Sequence, residues 1–595
     1  MKTKKYYRLL LLLGLCQPLV SCQDEFLTQL PVGSYSVSTV ATAAGIQQAL
    51  IGAYSQLNGT NDWASYGMNT PGGAMIGIMG GEAHKGSTLT DQSWMNFMER
   101  YEVNTNSSGA NFRFLYNAVF LCNTVLSILP DVKDITEAKR AQVAAEARFL
   151  RGHYYFLLKR WYKNIPWVES ISEFRVPNTD ASGNYINIWP QIQADFDFAR
   201  KNLPPTQADP GRPNKWAADA YYAKILIYRA NEGESPNGYT EALTVLNDVV
   251  ANGVTTKGQK YALEANYHDN FDATKENGVE SVFAVQHSAN DGTNSTTNGN
   301  MEIRGASGKN PEAPGMGRGS GFYTPSQWFA DHFRVDEKGL PYLDMYATNP
   351  KGIKNDDGLK SSDPFVPETA PVDPRLDWSL GRRGIPFLDY GVNPGANWVY
   401  TPVESGPYIQ KKFHIRKSED GIYQMAGTAF NALNVNIIRF ADVLLLAAEL
   451  EARVGSLEKA RTYVNQIRNR MVQNSSNPAN WVQNATNTGP AANYKIGLYP
   501  AGHPAFAGKE AALKAILYER TLELGLEGHR FFDVIRFGAD VEEFNAYIAA
   551  ESQTRTFLKG AVYTRVPDMI LPIPQEVIDN SYENGKPTLK QNPGY

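Results

Sequence analysis

The stretch EAKRAQVAAEARFLRGHYYFLLKRW, residues 137–161, carries the periodicity that decides the fold class. Its apolar side chains recur in steps of three and four residues, which places them on one face of an α-helix. These positions are Val143, Ala147, Leu150, Tyr154, Leu157 and Trp161. The sequence therefore predicts a long amphipathic helix here, with its apolar face buried.

The same period recurs along the chain and predicts a mainly α-helical protein with little β structure. Further predicted helices cover residues 45–57, 111–129, 190–203, 213–230, 241–251, 436–454, 456–471 and 509–537. Paired helices of this size, with alanines such as Ala144-Ala145 at contact positions, are consistent with a tetratricopeptide-like array of hairpins of ~34 residues. A generic helical body is the alternative, since no strict repeat consensus is visible.

Three long stretches between the helices lack a helical period: residues 286–321, 349–426 and 474–508. Loops of this length are usually functional or disordered, but disordered linkers are poor in aromatic residues. Tryptophans lie in or beside these stretches, at positions 328, 378, 398 and 481. We therefore expect ordered loops laid over a helical scaffold, with at most short strands, one of them at 279–285.

The amino terminus has the features of an export signal. Four basic residues precede a short apolar run, Leu9 to Leu15, which is far below the ~20 residues needed to span a bilayer. The sequence Leu19-Val20-Ser21-Cys22 resembles the lipobox of bacterial lipoproteins, so we expect cleavage before Cys22 and lipidation of its thiol. An ordinary secretory signal with a chance cysteine is the alternative. We expect no other stretch to be long and apolar enough to span a membrane.

Composition and charge narrow the class of partner. The 595 residues carry 57 basic and 61 acidic side chains, a formal charge of −4. A mildly acidic body repels phosphate backbones, so we expect no nucleic acid partner. Three cysteines are too few for a disulfide framework, and Cys122, within a predicted helix, is expected to be a small core residue.

The usual signs of catalysis are missing from the sequence. Its eight histidines are at least 19 residues apart, so no two of them have the spacing of a zinc motif carried on one helix. Phosphate loops and nucleophile elbows are also missing. Glu519, Glu523 and Glu527 share one helical face and could serve glycoside hydrolysis. Because Arg520, Arg530 and Arg536 lie close by, an internal salt-bridge network is the preferred interpretation. We predict no catalytic residue, metal or cofactor.

Five blocks of the sequence, in order, resemble the hallmarks of the SusD/RagB family. They are AAEARFLRGHYYF (144–156), NIIRFADVLLLAAE (436–449), the stretch from YER to EGHRFFD (518–533), LPIP (571–574) and NPGY (592–595). The charged hallmark residues are expected to be partners in packing and ion pairs. They are Glu146, Arg148, Arg439, Asp442, Glu449, Glu519 and Arg530.

This resemblance implies a non-enzymatic, cofactor-free lipoprotein on the outer face of the outer membrane. It would bind oligosaccharides or polysaccharides and deliver them to a SusC-type TonB-dependent transporter. The stretch Gln23-Asp24-Glu25 resembles the acidic surface-export stretch of Bacteroidetes lipoproteins. The expected organisation is a signal peptide over 1–21 and a body over 22–595, with a SusD-like part over about 23–230 and a RagB/SusD part over about 270–595. The alternatives are a secreted glycoside hydrolase and a transporter lid for peptide or another nutrient.

Sugar recognition needs an aromatic plane for the ring face and fixed polar groups for the hydroxyls. The chosen aromatic and polar residues lie in three loop stretches, two of which resemble subgroup blocks near the family's ligand face. The first stretch contains Trp63, Tyr66, Glu82, His84, Lys85, Asp91 and Trp94; the second Arg383, Asp389 and Tyr390; and the third Tyr323 and Trp328. For every aromatic the alternative is a packed core residue, and for Arg383 and Asp389 it is a mutual ion pair.

Overall fold

The structure is a computed structural model of the chain. It describes residues 40–58, 74–106, 109–173, 175–292, 310–315, 320–344, 352–425, 428, 430–472 and 480–595. Trp63, Tyr66 and Cys22 therefore lie outside the described residues.

Over the described residues the architecture is mainly helical, with four short antiparallel ribbons. The helices are α1 Ala43–Ser55, α2 Ala74–Met79, α3 Trp94–Glu99, α4 Gly109–Ile128, α5 Glu137–Tyr162, α6 Trp189–Asn202, α7 Lys215–Asn231, α8 Gly238–Asn252, α9 Gln327–Asp331, α10 Leu376–Ser379, α11 Pro402–Ser405, α12 Phe440–Val454, α13 Leu457–Arg470, α14 Lys509–Leu524, α15 Arg530–Phe537, α16 Asp540–Glu551, α17 Arg565–Asp568 and α18 Gln575–Asn580. The strands are β1 Ala83–Gly86, β2 Ser281–Val285, β3 Phe322–Pro325, β4 Leu380–Gly381, β5 Ile409–Gln410, β6 Val435–Arg439, β7 Tyr582–Glu583 and β8 Lys586–Pro587. The ribbons pair β1 with β3, β2 with β6, β4 with β5 and β7 with β8.

The long helices stack in chain order, each against the next, from α4 through α8. Helix α8 then packs on α12, which in turn contacts α13 and α14. Three of these helices begin at a side-chain cap, where the oxygens of Thr136, Asn214 and Ser456 accept backbone N–H groups. This stack of helical hairpins confirms the predicted tetratricopeptide-like scaffold and the cap at Ser456.

Two helix predictions were wrong in their bounds. The run predicted over 436–454 begins as strand β6, and the helix starts only at Phe440. The β-branched residues of β6 pair with β2, so a partner distant in the chain overrides the local helical period. The run over 509–537 breaks after Leu524, where Leu526 and Gly528 adopt positive φ angles of 67° and 76°.

Most of helix α4 lies in a segment that has the length and the apolar composition of a membrane span. Among the described residues one segment, Asn111–Asp131, is long and apolar enough to cross a membrane, with a mean hydropathy of 1.5. The expectation that no such stretch exists beyond the signal was therefore wrong. The segment packs against α1 and α5 and buries Cys122 completely, so its apolar composition serves the core. The predicted role of Cys122 is confirmed.

A buried ionic cluster links the carboxyl-terminal half of the scaffold. We define it as Glu280, Asp373, Arg375, Lys412, Arg439, Arg468, Arg470, Glu519, Glu523 and Glu527. At its centre, the carboxylate of Glu523 accepts hydrogen bonds from Arg439 at 2.6 Å, from Arg375 at 3.1 Å and from Arg470. The salt-bridge interpretation of the glutamate series is confirmed.

The arginines of this cluster are not the ones that the sequence placed nearest. Arg520, Arg530 and Arg536 pair instead with other acids, for example Arg530 with Glu543 at 2.5 Å. Since the true partners lie on other elements, sequence proximity could not identify them.

Candidate functional site

Three segments of the chain meet where ribbon β1–β3 ends. Gly86 pairs with Phe322, the N–H of Ser87 donates to the carbonyl of Gly321 at 2.8 Å, and the hydroxyl of Thr401 donates to the carbonyl of Ser87 at 3.0 Å. A Cβ on Gly86 would lie 2.0 Å from the carbonyl oxygen of Gly321, so glycine is required there. We call the surface formed by residues 87–94, 320–322 and 400–405 the loop face.

Lys85 holds the first of these segments from beneath. Its side chain is buried, and its ammonium donates to the carbonyls of Thr88 at 2.6 Å and Asp91 at 2.7 Å. Burial lowers the pKa of Lys85, and charged donors make strong hydrogen bonds. Its backbone N–H donates to the carboxylate of Glu99 at 2.8 Å. The structure thus places Lys85 as a clamp on the loop.

His84 lies between two buried carboxylates. Its Nδ1 lies 2.8 Å from Glu99 and its Nε2 lies 3.2 Å from Glu551. Burial alone would lower the pKa of His84, but the carboxylates of Glu551 and Glu99 outweigh it and raise the pKa to about 9. Glu551 also accepts the backbone N–H of Trp328 at 2.6 Å, so this network joins β1 to α9 and α16.

We expect His84 to stay protonated where other buried histidines are neutral. Burial lowers the pKa of His153 and His414 to about 3. In ¹⁵N-histidine-labelled protein at pH 8, His84 should give an imidazolium signal and the other two should give neutral signals, with the His84→Gln variant providing the assignment. Because folding raises this pKa, His84 contributes its full stabilisation below about pH 6.5 and loses it as pH rises to about 9. Titration of His84 near 6.5 would contradict the network.

Three further predicted residues lie in the interior below the loop face. Burial raises the pKa of Glu82 to about 8, and its carboxyl accepts the N–H of Leu526 at 3.1 Å. The hydroxyl of Tyr323 donates to the carbonyl of Leu526 at 3.1 Å, and Trp328 is 5% exposed. These side chains form the floor that supports the surface residues.

Trp94 and Asp91 are the described members of the first predicted stretch that reach the surface. Trp94 is half-buried against the core, and its indole N–H donates to the side chain of Gln92 at 2.8 Å. Asp91 accepts the hydroxyl of Ser87 at 2.9 Å. Phe97, one turn further on helix α3, is 42% exposed. The indole therefore has a fixed orientation, an internally satisfied polar edge and an accessible apolar part.

In the second predicted stretch each side chain has its own partner. The guanidinium of Arg383 donates to the carbonyls of Ser361 at 2.7 Å and Asp363 at 2.6 Å. Asp389 is exposed and accepts the backbone N–H groups of Lys417 and, at 2.9 Å, Ser418. The mutual pair of Arg383 and Asp389 considered from the sequence does not form.

One segment connects this second stretch to the loop face. Trp398 packs on Phe387, which also contacts Tyr390 in a small apolar core. Three residues later, Thr401 bonds to Ser87, and Arg555 donates to the carbonyl of Pro402 at 2.9 Å. This segment therefore joins the second predicted stretch to the first.

Three residues that no sequence pattern indicated also take part in this surface. Gln92 sets the orientation of the predicted Trp94, and Tyr400 and Glu404 lie half-buried on the connecting segment. Their nearness to Trp94 and Trp398 in the sequence was an available signal. Within the described ranges no group of three or more His, Cys, Asp or Glu side chains could hold a metal ion.

Comparisons with known proteins agree on one family. The family model described as "SusD family" matches residues 279–595, and the model described as "Starch-binding associating with outer membrane" matches 39–227. "SusD-like protein P2" of Formosa agariphila is 25% identical over 600 residues, which cover 97% of each chain. A "SusD-like protein" of Bacteroides ovatus is 26% identical over 272 residues, covering 45% of this chain and 47% of the relative.

Solved structures share the fold over nearly the whole chain. "Surface glycan-binding protein A from Bacteroides fluxus" has a TM-score of 0.66 at 20% identity, covering 93% of this chain and 99% of the other. The corresponding protein of Bacteroides thetaiotaomicron in complex with laminarihexaose has a TM-score of 0.62, at the same identity and coverage. A "Laminarin binding SusD-like protein" also has a TM-score of 0.62, at 20% identity, covering 93% of this chain and all of the other.

Proposed function

The chain belongs to the SusD family, and from that premise we propose that it is a cell-surface lipoprotein that binds a glycan and delivers it to a SusC-type transporter. The observation that carries the proposal is the half-buried indole of Trp94, held by Gln92 on a clamped loop. Aromatic faces stack on the apolar face of sugar rings, and fixed side chains lose little entropy on binding. The relative solved with laminarihexaose and the starch-binding description of the amino-terminal match support the ligand class.

Asp91 and the polar groups of the neighbouring segment complete the proposed site. Carboxylate and amide groups beside an aromatic ring supply hydrogen bonds to sugar hydroxyls, which fix the orientation of the ligand. Asp389 and Tyr390 lie in the second predicted stretch, which the segment from Trp398 to Thr401 connects to the loop face, and a longer oligosaccharide would extend towards them. Trp63 and Tyr66 remain proposed contacts.

The protein is proposed to bind without cleaving. The one carboxylate series that suggested a hydrolase lies in the buried ionic cluster, where Glu523 is surrounded by guanidinium groups. These carboxylates are inaccessible to a polysaccharide.

Native affinity electrophoresis against a panel of soluble polysaccharides, laminarin and starch included, tests this function. We expect at least one polysaccharide to retard the protein, with no reducing sugar released on prolonged incubation. Release of reducing sugar would establish the hydrolase alternative. Retardation by none, together with binding of peptides, would establish a lid for another nutrient.

Loss of the Lys85 clamp should weaken glycan binding by loosening the loop. In Lys85→Met the carbonyls of Thr88 and Asp91 lose a charged donor, and such hydrogen bonds contribute about 1.5–3 kcal/mol each. We expect faster amide exchange in residues 87–94 and about tenfold weaker binding. The exposed lysine Lys257 provides the control, and Lys257→Met should change neither quantity. Equal effects of the two substitutions would show that the hydrogen bonds of Lys85 do not support glycan binding.

Lipid attachment at Cys22 completes the proposal. Buried acyl methylenes contribute about 0.8 kcal/mol each, so several chains hold a protein on a membrane. We expect mass spectrometry of the mature amino-terminal peptide to show acylated Cys22. The Cys22→Ser variant should leave the membrane fraction. A wild-type protein recovered unacylated would contradict this part.

A further inference from the structure

Arg148 differs from the other charged residues of the hallmark blocks. Glu146, for example, pairs with Arg212 at 2.7 Å, and Asp442 pairs with Lys224 at 3.1 Å. Arg148 forms no ion pair with any described residue. Its guanidinium lies 4.3 Å from the centre of the Phe198 ring, and its buried Nε has no hydrogen-bond partner.

The guanidinium of Arg148 lines a pocket of about 640 Å³ between α4, α5, α6 and the segment after α5. The two other arginines of the pocket are already bonded. Arg151 makes two 2.8 Å hydrogen bonds to Asp195, and Arg140 donates to the carbonyls of Leu129 and Val132. Arg148 is therefore the cation with free donors among the described residues that line this pocket.

Apart from two exposed carboxylates, those of Glu137 and Glu169, the rest of the pocket is apolar or has its polar groups occupied. The amide of Asn123 is bonded at both ends, to Arg151 and to the carbonyl of Val168. The hydroxyl of Ser127 donates to a carbonyl of its own helix. The apolar wall is formed by Leu126, Leu129, Pro130, Ala141, Ala144 and Ile171. Besides these two carboxylates, few groups remain for sugar hydroxyls.

A second groove, of about 410 Å³, adjoins this pocket and shares Asn123, Ser170 and Ile171 with it. The exposed fractions of Phe120 and Ile171 along it are 43% and 37%. A ligand with its anionic end in the pocket could therefore lay an apolar body along the groove.

We propose that this pocket is a second binding site, separate from the loop face, for a monocarboxylate with an aliphatic chain. The carboxylate pairs with the free Nη donors of Arg148, whose stacking on Phe198 fixes the plane of the fork. The chain lies against the apolar wall towards Phe120 and is removed from water. Because it uses none of the loop-face residues, the site does not depend on the proposed glycan function.

Titration calorimetry of the purified protein with octanoate tests the site. We expect octanoate to bind the wild type saturably. Its affinity for Arg148→Met should be at least about tenfold lower, since a charge-assisted pair is lost. Octan-1-ol, which keeps the chain and lacks the charge, should bind weakly and equally to both proteins. In ¹⁵N-arginine-labelled protein, octanoate should shift the Arg148 Nε–Hε signal.

Three further variants keep the test independent of the folding of Arg148→Met. Glu169 is 72% exposed at the rim, 4.0 Å from Arg151, so its charge opposes an incoming anion. Glu169→Gln should bind octanoate about threefold more tightly, the size of an exposed charge interaction. Ala144→Phe should fill the pocket and abolish binding, whereas Arg113→Gln, on the adjoining groove, should bind as the wild type does.

Each other outcome overturns the proposal. Equal octanoate affinity in the wild type and Arg148→Met would show that Arg148 is not the anchor. No saturable octanoate binding would remove the site, even if glycan binding is retained. Binding of glucuronate at Arg148 in place of octanoate would contradict the aliphatic body.

Discussion

Replacing Glu523 with glutamine is expected to lower the free energy of unfolding by about 3–5 kcal/mol, because the amide leaves buried guanidinium groups without their countercharge. The carboxylate of Glu523 forms ion pairs with Arg375, Arg439 and Arg470, and all four side chains are buried. A loss of this size is a large fraction of the 5–15 kcal/mol typical of folded proteins. Chemical denaturation followed by circular dichroism measures it.

Acid should unfold the wild type through the same carboxylate. Burial alone would raise the pKa of Glu523, but Arg470, Arg439 and Arg375 hold it well below its usual range. A lowered native pKa means that this stabilisation is present above about pH 4.3 and is lost as pH falls through the native pKa. The unfolding free energy of the glutamine variant should therefore fall less between pH 5 and pH 3.

An exposed ion pair provides the control for this substitution. Glu458 pairs with Arg461 on the surface of α13, and its side chain is 60% exposed. Exposed pairs contribute little, so Glu458→Gln should leave the unfolding midpoint unchanged. Similar losses in both variants would show that the ionic cluster is not what stabilises this half of the scaffold.

Replacing Trp94 with alanine is expected to abolish retardation by the polysaccharide that binds the wild type. The substitution removes the apolar face that would stack on the sugar and releases Gln92 from its bond to the indole N–H. An aromatic stack contributes about 0.5–1.5 kcal/mol beyond area burial, a large share of a weak affinity. Affinity electrophoresis gives the binding, and a thermal unfolding curve verifies that the variant is folded.

Trp481 is a matched control for Trp94. It is also half-buried on a loop, and its indole N–H donates to the carbonyl of Met471 at 2.7 Å. It packs on Tyr494 and is not one of the residues that form the loop face. Trp481→Ala should keep full retardation. If the polysaccharide retards Trp94→Ala as strongly as it retards the wild type, Trp94 does not have the proposed role in binding.

The helical scaffold could be predicted because its signals are local. The period over 137–161 and the cap at Ser456 each depend on residues within a few turns. Strand β6 could not be predicted in the same way, because its pairing with β2 joins residues distant in the chain. The break after Leu524 likewise depends on tertiary packing, since a Cβ on Gly525 would lie 2.4 Å from the ring of Phe329.

The candidate site was predictable as a region and less so residue by residue. The segment Glu82-Ala83-His84-Lys85, which the sequence offered as a candidate, leads into the end of ribbon β1–β3, but the sequence does not show which of its side chains are buried. Burial of His84 depends on Glu551, 467 residues away. Likewise, the sequence around Arg148 does not show that this arginine stacks on Phe198, whereas the charged residues near it in the chain form ion pairs.

Hydrogen–deuterium exchange of the full-length protein, with and without the polysaccharide that retards it most, tests whether the loop face binds the glycan. We expect the glycan to slow exchange in residues 87–97 and 400–405, and to leave exchange in α12 and around the Arg148 pocket unchanged. Slowing confined to other segments, with 87–97 unaffected at saturating glycan, would contradict the claim that the loop face binds the ligand.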